Sequence, residues 1–525
     1  MKKKIVAMLL SITIVAIMLP GCGQYKSDTA PAVGERYETE TESACESPAL
    51  AAEESKMMDE MYANYEDYEW YEEDVPNIVA KNNCALTTES ALSTFGADVD
   101  TASYANLRRM VNDGYSLSMI PTDMIRTEEI VNYFNYMYTE PKDNEVFAVN
   151  TVVSSCPWNK QAKLMSIGIN TADMDSKDVP DCNIVFLVDV SGSMSGEKKL
   201  PLIQKTMAML SDNFDDNDRI SIVTYASGVE TVLDGCKGSD SRKIIKAFEG
   251  LAAHGSTNGG DGIRLAYKVA QKHFIKGGVN RVIICSDGDF NVGLTTQAEL
   301  EKLISAKKDS GIFLSTLGFG MNGYSDATME TLADKGNGNY AYIDDLTEAK
   351  RVLVDEMSST FVTVAKDVKF QVEFNPAVVS KYRLIGYENR VMAARDFRGD
   401  TKDGGEMGAG HQVSALYEMY TDDAFGDEFC TLSIAYKEPD NDKSNYLEYP
   451  IGTNHYTSNP SDDFKLATAA AQASLAIRNS DIDALTSSMN IVKKLGNAYT
   501  DEYVTEFGEL LETLANNEYY VEWYE

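Results

Sequence analysis

Asp189, Ser191 and Ser193 stand at alternate positions directly after an unbroken apolar run, Ile184 to Val188. A carboxylate and hydroxyls are hard oxygen donors with no soft atom among them. The chemistry they suit is coordination of Mg²⁺, or of Mn²⁺ or Ca²⁺, and not of zinc. Two later stretches offer donors of the same kind. Thr257 lies in His254-Gly-Ser-Thr-Asn-Gly-Gly260, a glycine-rich loop ahead of a helical pattern, and Asp287 follows a second apolar run, Val282 to Cys285. Asp189, Ser191, Ser193, Thr257 and Asp287 are therefore the candidate metal ligands. Asp-x-Ser-x-Ser alone is equally an ordinary polar turn, since Asp, Ser and Gly are turn residues. What sets this chain apart is that three loops supply compatible donors.

The elements that must position these loops follow from periodicity. An apolar, β-branched run closed by a Gly/Ser loop reads as a strand buried on both faces, and open α/β sheets place their sites at the carboxyl ends of such strands. From Asp181 onward strands and helices alternate. Strands are expected at Arg219–Tyr225, Val282–Cys285, Ile312–Phe319 and Asn339–Ile343, with helices at Leu200–Phe214, Ser241–Leu251, from the Thr257 loop to Phe274, Thr296–Lys308, Asp326–Asp334 and Leu346–Thr360. This alternation predicts a mostly parallel sheet covered on both faces.

With all three loops present in order, the stretch Asp181 to Thr360 resembles a von Willebrand factor type A domain carrying a metal-ion-dependent adhesion site. Phe95-Gly-Ala-Asp-Val-Asp-Thr-Ala-Ser-Tyr, Phe290-Asn-Val-Gly, Lys335-Gly-Asn-Gly-Asn-Tyr-Ala-Tyr-Ile and Leu384-Ile-Gly-Tyr-Glu-Asn-Arg extend the likeness. They are similar to bacterial lipoproteins in which such a domain sits between an N-terminal extension and a C-terminal domain of unknown function. The resemblance implies a Rossmann-like α/β fold. It also implies that Ser191, Ser193 and Thr257 supply hydroxyl oxygens and that Asp189 and Asp287 supply charge, partly through water. One coordination position would stay open for a partner's Asp or Glu. Ser195 and Asp289 lie close by, outside the motif.

The flanking regions read differently. A helix is expected at Ala105–Asn112 and a second at Thr127–Met137, with Ile130, Val131, Phe134 and Met137 on one face. Asp98 and Asp100 read as turn and helix-capping residues. Strands are expected at Val146–Ser154 and Lys163–Ile169, before the α/β domain, and again at Val368–Phe374, Tyr382–Tyr387, Gln412–Tyr420 and Phe429–Tyr436, after it. Neither set can leave many unpaired edges, so the two are expected to join in one β-sandwich with the α/β domain inserted. Helices are expected from Ser461, read as an N-cap. A last helix capped by Thr500 carries Tyr503, Phe507, Leu510, Leu511 and Leu514 on one stripe.

The N-terminus has the form of an export signal: Met1-Lys-Lys-Lys4, then an apolar stretch to Leu19, then Pro20-Gly21-Cys22. This resembles a bacterial lipobox, implying cleavage before Cys22, lipidation of its thiol and a chain anchored to a membrane without spanning it. The expected organisation is a signal peptide over 1–21, an acidic Tyr-rich disordered tether over 22–82, helices and strands over 83–180, the α/β domain over 181–362, a β-rich domain over 363–456 and helices over 457–525. The tether is dense in acid and poor in aliphatic residues, which disfavours independent folding. A formal net charge of −35 over 525 residues argues against nucleic acid and against docking on anionic lipid through protein charge. Beyond Cys22 the cysteines are Cys45, Cys84, Cys156, Cys182, Cys236, Cys285 and Cys430, with no tight pair, so neither a disulfide framework nor a zinc site is expected.

These readings converge on a non-enzymatic, envelope-anchored lipoprotein on the exported face, periplasmic or extracellular. It would bind protein partners through Mg²⁺, or Mn²⁺ or Ca²⁺. The alternatives are a Mg²⁺-dependent hydrolase, for which His254 is the histidine near the site loops, and a scaffold in which the ion only braces loops.

Overall fold

The computed structural model describes residues 82–521 except 98–99, 143–144, 175–178, 257–258, 289–296, 309, 321–325, 357–361, 400–401, 403, 422–427, 440, 442, 497–498 and 500. The first elements are β1 (Ala85–Leu86), β2 (Leu92–Gly96), α1 (Ala102–Asn112), α2 (Thr127–Val131), β3 (Phe147–Ser155) and β4 (Lys163–Thr171). The α/β domain opens with β5 (Cys182–Asp189), α3 (Leu200–Leu210), β6 (Arg219–Tyr225), β7 (Val229–Lys237), α4 (Ser241–Glu249) and α5 (Gly259–Lys272). It continues with β8 (Val279–Ser286), α6 (Gln297–Lys308), β9 (Phe313–Phe319), α7 (Asp326–Lys335), β10 (Tyr340–Ile343) and α8 (Leu346–Lys350), which runs into a π-helical turn, Arg351–Asp355. Then come β11 (Thr363–Phe374), β12 (Val379–Ile385), β13 (Val391–Met392), β14 (Met407–Gly408), β15 (Gln412–Thr421), β16 (Glu428–Lys437) and β17 (Ser444–Gly452). The helices α9 (Asp462–Asn479), α10 (Ile482–Leu495) and α11 (Glu502–Val521) close the chain.

The α/β domain is built on a six-stranded sheet in the order β10-β9-β8-β5-β6-β7. β5 pairs parallel with both β6 and β8. Side chains alternate across β5: Ile184, Phe186 and Val188 enter one core layer with Ile203 and Met207, while Val185 and Leu187 enter the other with Ala266 and Ala270. Burial on both faces is what the unbroken apolar run requires. The edge strand β7, antiparallel to β6, has no counterpart in the sequence reading. Val229 and Val232 on it are solvent-exposed, so it lacks the apolar alternation that marks a half-buried strand.

The strands before and after this domain form two facing sheets, β1-β12-β15-β4-β3 and β13-β2-β11-β16-β17. β4 pairs along its length with β15, so the early strands complete a sheet begun after the α/β domain, which is inserted between them as expected. Phe374 of β11 meets Tyr417 of β15 and Tyr382 of β12 across the core. β17 was also not anticipated. It carries Pro450 on a sheet edge, where a residue without an N–H is tolerated.

Three further expectations are corrected. The helix expected over Thr127–Met137 ends at Val131. There the Asn132 amide donates to the Glu128 carbonyl at 2.8 Å and to Ser414 O at 3.2 Å, and Gln412 brackets Tyr136 through its N–H and carbonyl. Strand β15 thus satisfies backbone groups that another helical turn would have used. The α3 helix stops at Leu210 and gives way to a 3₁₀ turn, Ser211–Asn213, short of Phe214. Asp100 does not cap α1. It accepts from Tyr340 N–H at 3.2 Å and pairs with Arg390 at 3.2 Å. Asp98 and Thr500 lie outside the described residues. Ser461 caps α9, accepting from Phe464 N–H at 3.3 Å. The stripe Tyr503, Phe507, Leu510, Leu511 and Leu514 is buried in a core shared with α1, α2, α9 and α10. Among the described residues, Cys84, Cys156, Cys182, Cys236, Cys285 and Cys430 carry free thiols.

Candidate metal centre

Strands β5 and β8 lie side by side with Val188 opposite Cys285. The residues that follow, Asp189 and Ser286-Asp287, therefore arrive at one rim of the sheet. Strand order also reverses here: the chain passes from β5 to β6 and β7 on one side and returns to β8 on the other. Open α/β sheets leave a crevice at such a point.

Asp189 is fully buried, Ser191 is 2 % exposed and Asp287 is 7 % exposed, whereas Ser193 faces solvent. The Ser191 N–H donates to Asp189 Oδ1 at 2.8 Å, and the Ser286 hydroxyl donates to Asp189 Oδ2 at 3.3 Å. The Ser191 and Ser193 hydroxyl oxygens lie 3.1 Å apart. Burial pushes the Asp189 carboxyl above the usual carboxylate range. The hydrogen bonds from Ser191 oppose this and the neighbouring charge of Asp287 adds to it.

Backbone contacts lock the loops together. Val190 N–H donates to Tyr225 O at 3.0 Å, His254 N–H to Val190 O at 2.7 Å and Gly192 N–H to Gly255 O at 3.0 Å. Met194, fully buried, pins the Ser191–Ser195 turn to the core. At Gly255, with φ +76, a Cβ would fall 2.3 Å from Ser227 Oγ. Glycine's freedom is required there twice over, for the dihedral and for the space.

The structure thus brings Asp189, Ser191, Ser193 and Asp287 together, with the root of the Thr257 loop beside them. Thr257 and Asp289 lie outside the described residues. The His254 side chain is exposed, and its contribution to the rim is its backbone N–H. Ser195 is exposed as well.

Two participants escaped the sequence reading. Ser286 supports Asp189, and Lys199 sets its ammonium 2.7 Å from Asp287 Oδ2. Lys199 left one local signal. It occupies the N-cap of α3, where the helix dipole disfavours a cation.

The residues fit a hard divalent cation. Every side-chain donor is oxygen, and Lys199 offsets only one of the two carboxylates on this sheltered rim, where negative charge is costly. When bound, such an ion supplies an electrophilic coordination position. Asp189, Ser191, Ser193 and Asp287 would hold it.

A family model described as "von Willebrand factor type A domain" matches residues 183–355, and one described as "von Willebrand factor" matches 65–166. A third, "Uncharacterized protein YfbK, C-terminal", matches 359–516. The α/β domain is accordingly a von Willebrand factor type A domain, and such domains are, as a family, interaction modules and generally not enzymes. The Uncharacterized protein YfbK of Escherichia coli K12 is 39 % identical over 461 residues, covering 82 % of this chain and 79 % of that protein. The chain belongs to the YfbK family of von Willebrand factor type A domain proteins. The Uncharacterized protein sll0103 of Synechocystis is 24 % identical over 306 residues, covering 57 % of this chain and 71 % of the relative. The solved structure "von Willebrand factor type A from Catenulispora acidiphila" aligns with a TM-score of 0.41 and 14 % identity, covering 67 % of this chain and 87 % of that one.

Proposed function

We propose that the chain is a divalent-metal-dependent protein-binding module of the cell envelope. Its ion would be Mg²⁺, or Mn²⁺ or Ca²⁺, held by Asp189, Ser191, Ser193, Thr257 and Asp287, and it would accept a carboxylate oxygen from an Asp or Glu of a protein partner. The observation that carries this reading is the meeting of Asp189 and Asp287 with the paired hydroxyls of Ser191 and Ser193 at the strand-order reversal. Few direct carboxylates leave the ion electrophilic enough to take an external acid group. The exposure of Ser193 gives that group a way in.

The test is a titration of purified protein with Mn²⁺, paired with capture of envelope proteins in Mg²⁺ and in EDTA. Asp189→Ala is expected to weaken Mn²⁺ binding by roughly 100-fold or more, beyond the range seen for residues that only support a ligand. It should release the EDTA-sensitive partners while circular dichroism stays unchanged. The variant removes a buried carboxylate that sits near another, so no loss of fold is expected from it. Unaltered metal binding and unaltered partners in Asp189→Ala would sink the proposal.

The envelope assignment depends on lipidation of Cys22, which lies outside the described residues. Among the described residues no helix is long and apolar enough to cross a membrane. Cys22→Ser should abolish incorporation of a labelled fatty acid and shift the protein from the membrane to the soluble fraction. Retention of label in that variant would exclude Cys22 as the lipidated residue.

A further inference from the structure

The metal reading leaves Lys199 unexplained. Its ammonium lies 2.7 Å from Asp287 Oδ2, and the two side chains are 20 % and 4 % exposed. The pair is partly sheltered, so it is screened less than a surface ion pair. The placement is built rather than incidental. Lys199 is the N-cap residue of α3 and makes no side-chain capping hydrogen bond. A Ser, Thr, Asp or Asn there would satisfy a helix N–H and suit the helix dipole, whereas a lysine does neither.

Its stem also has a bed. Gly320, which follows β9 with φ +58, lies so close that a Cβ on it would fall 2.5 Å from Lys199 Cγ and 3.0 Å from Lys199 Cε. A side chain at 320 would displace the lysine. Local capping preference is thus given up, and a glycine is placed opposite, so that one cation reaches one candidate metal ligand. Breaches of a local rule of this kind gather at functional sites.

We infer that Lys199 is a tethered competitor for the divalent ion: its ammonium holds Asp287 when the site is empty of metal and is displaced when the ion binds. The inference rests on the metal reading of the same site. Without metal, the lysine neutralises Asp287 and keeps the rim from spreading under the repulsion of two carboxylates. Against metal, it lowers affinity, so the site loads only where the divalent ion is abundant.

The experiment measures Mn²⁺ binding calorimetrically in wild type, Lys199→Met and Lys199→Arg, and follows the acetylation of Lys199 by acetic anhydride with and without Mn²⁺. Methionine keeps the stem against Gly320 and removes the charge. Removing the Lys199–Asp287 pair that the ion must break should tighten binding about tenfold, toward the lower end for a close ion pair at high effective dielectric. Lys199→Arg should stay near wild type, and acetylation of Lys199 should rise several-fold as Mn²⁺ saturates. A Lys199→Met protein that binds Mn²⁺ no tighter than wild type, or labelling that stays flat while Mn²⁺ binds, overturns the competitor while leaving the metal site standing. Absence of Mn²⁺ binding in all three proteins overturns both. Binding by Lys199→Met alone supports both.

Discussion

Replacing Arg108 with methionine is expected to lower the stability of the folded chain by about 3–5 kcal/mol, the range for a buried charge network stripped of one partner. Arg108 is 1 % exposed and stands on α1, ahead of the α/β domain. Its guanidinium grips both oxygens of Asp344, after β10, and meets Glu348 of α8 at 2.9 Å and Glu506 of α11 at 3.1 Å. Tyr133 donates to the same Glu348 at 2.7 Å, and Arg351 reaches it from the other side at 2.8 Å. The N-terminal extension, the closing helix of the α/β domain and the last helix of the chain therefore share one cation. Methionine would fill the volume but leave Asp344 and Glu348 buried beside each other with Arg351 as their nearest remaining cation. The measurement is the urea midpoint of the full chain at neutral pH. The deficit should shrink as pH falls, because protonating Asp344 and Glu348 removes the uncompensated charge. A loss below about 1 kcal/mol, as for a surface pair, would contradict the network's role.

The same network shows where reading the sequence stops. The strand Ile184–Val188 and the donors after it were legible because both signals are local: an apolar run and a fixed spacing of oxygen-bearing residues. The sandwich was legible one step less directly, from the need of Val146–Ile169 for edge partners. Arg108 and Asp344 are separated by 236 positions, and nothing in the neighbourhood of either marks the other. Asp100 was misread for the same reason. Beside a helix start it looks like a cap, whereas its partners are Tyr340 and Arg390. The strands β7 and β17 were missed on different grounds. Both lie on sheet edges and bury few side chains, Leu233 and Cys236 on β7 and Ile451 on β17, so their apolar period is diluted by the solvent side.

The ion pairs also join the domains. A second set of ion pairs repeats the weld: Arg390, between β12 and β13, reaches Asp100 at 3.2 Å, Glu330 at 2.7 Å and Asp334 at 3.4 Å. The α/β domain is thus held to its neighbours by buried or half-buried charge as well as by its two chain connections. Under the proposed function, a pull on a bound partner would pass into the sandwich and helices through these contacts. Flexible hinges would not have to carry it.

Glu128→Gln should make the chain more stable, by about 3 kcal/mol at pH 8. Glu128 is 4 % exposed and its carboxyl is pressed against Gly386. Burial, with the charges of Glu129 and Glu388 adding, pushes its pKa from 4.5 to about 7. Those two neighbours have arginines of their own, Arg126 at 2.7 Å and Arg478 at 3.0 Å. Glu128 Oε2 has no hydrogen-bond partner among the described residues. Between about pH 4.5 and 7 the folded chain keeps a proton that the unfolded chain has released. Stability therefore falls as pH rises through that window and levels off above it. Glutamine has the same shape and no proton to lose, so its contribution stays flat and the two proteins differ most on the alkaline side. Urea midpoints from pH 4 to pH 9 would show this as two curves that meet in acid, part from about pH 4.5 and run parallel above about pH 7. A Glu128→Gln chain that is weaker at pH 8, or that keeps the wild-type slope, would mean that the carboxylate is neutralised by a contact stronger than the burial opposing it.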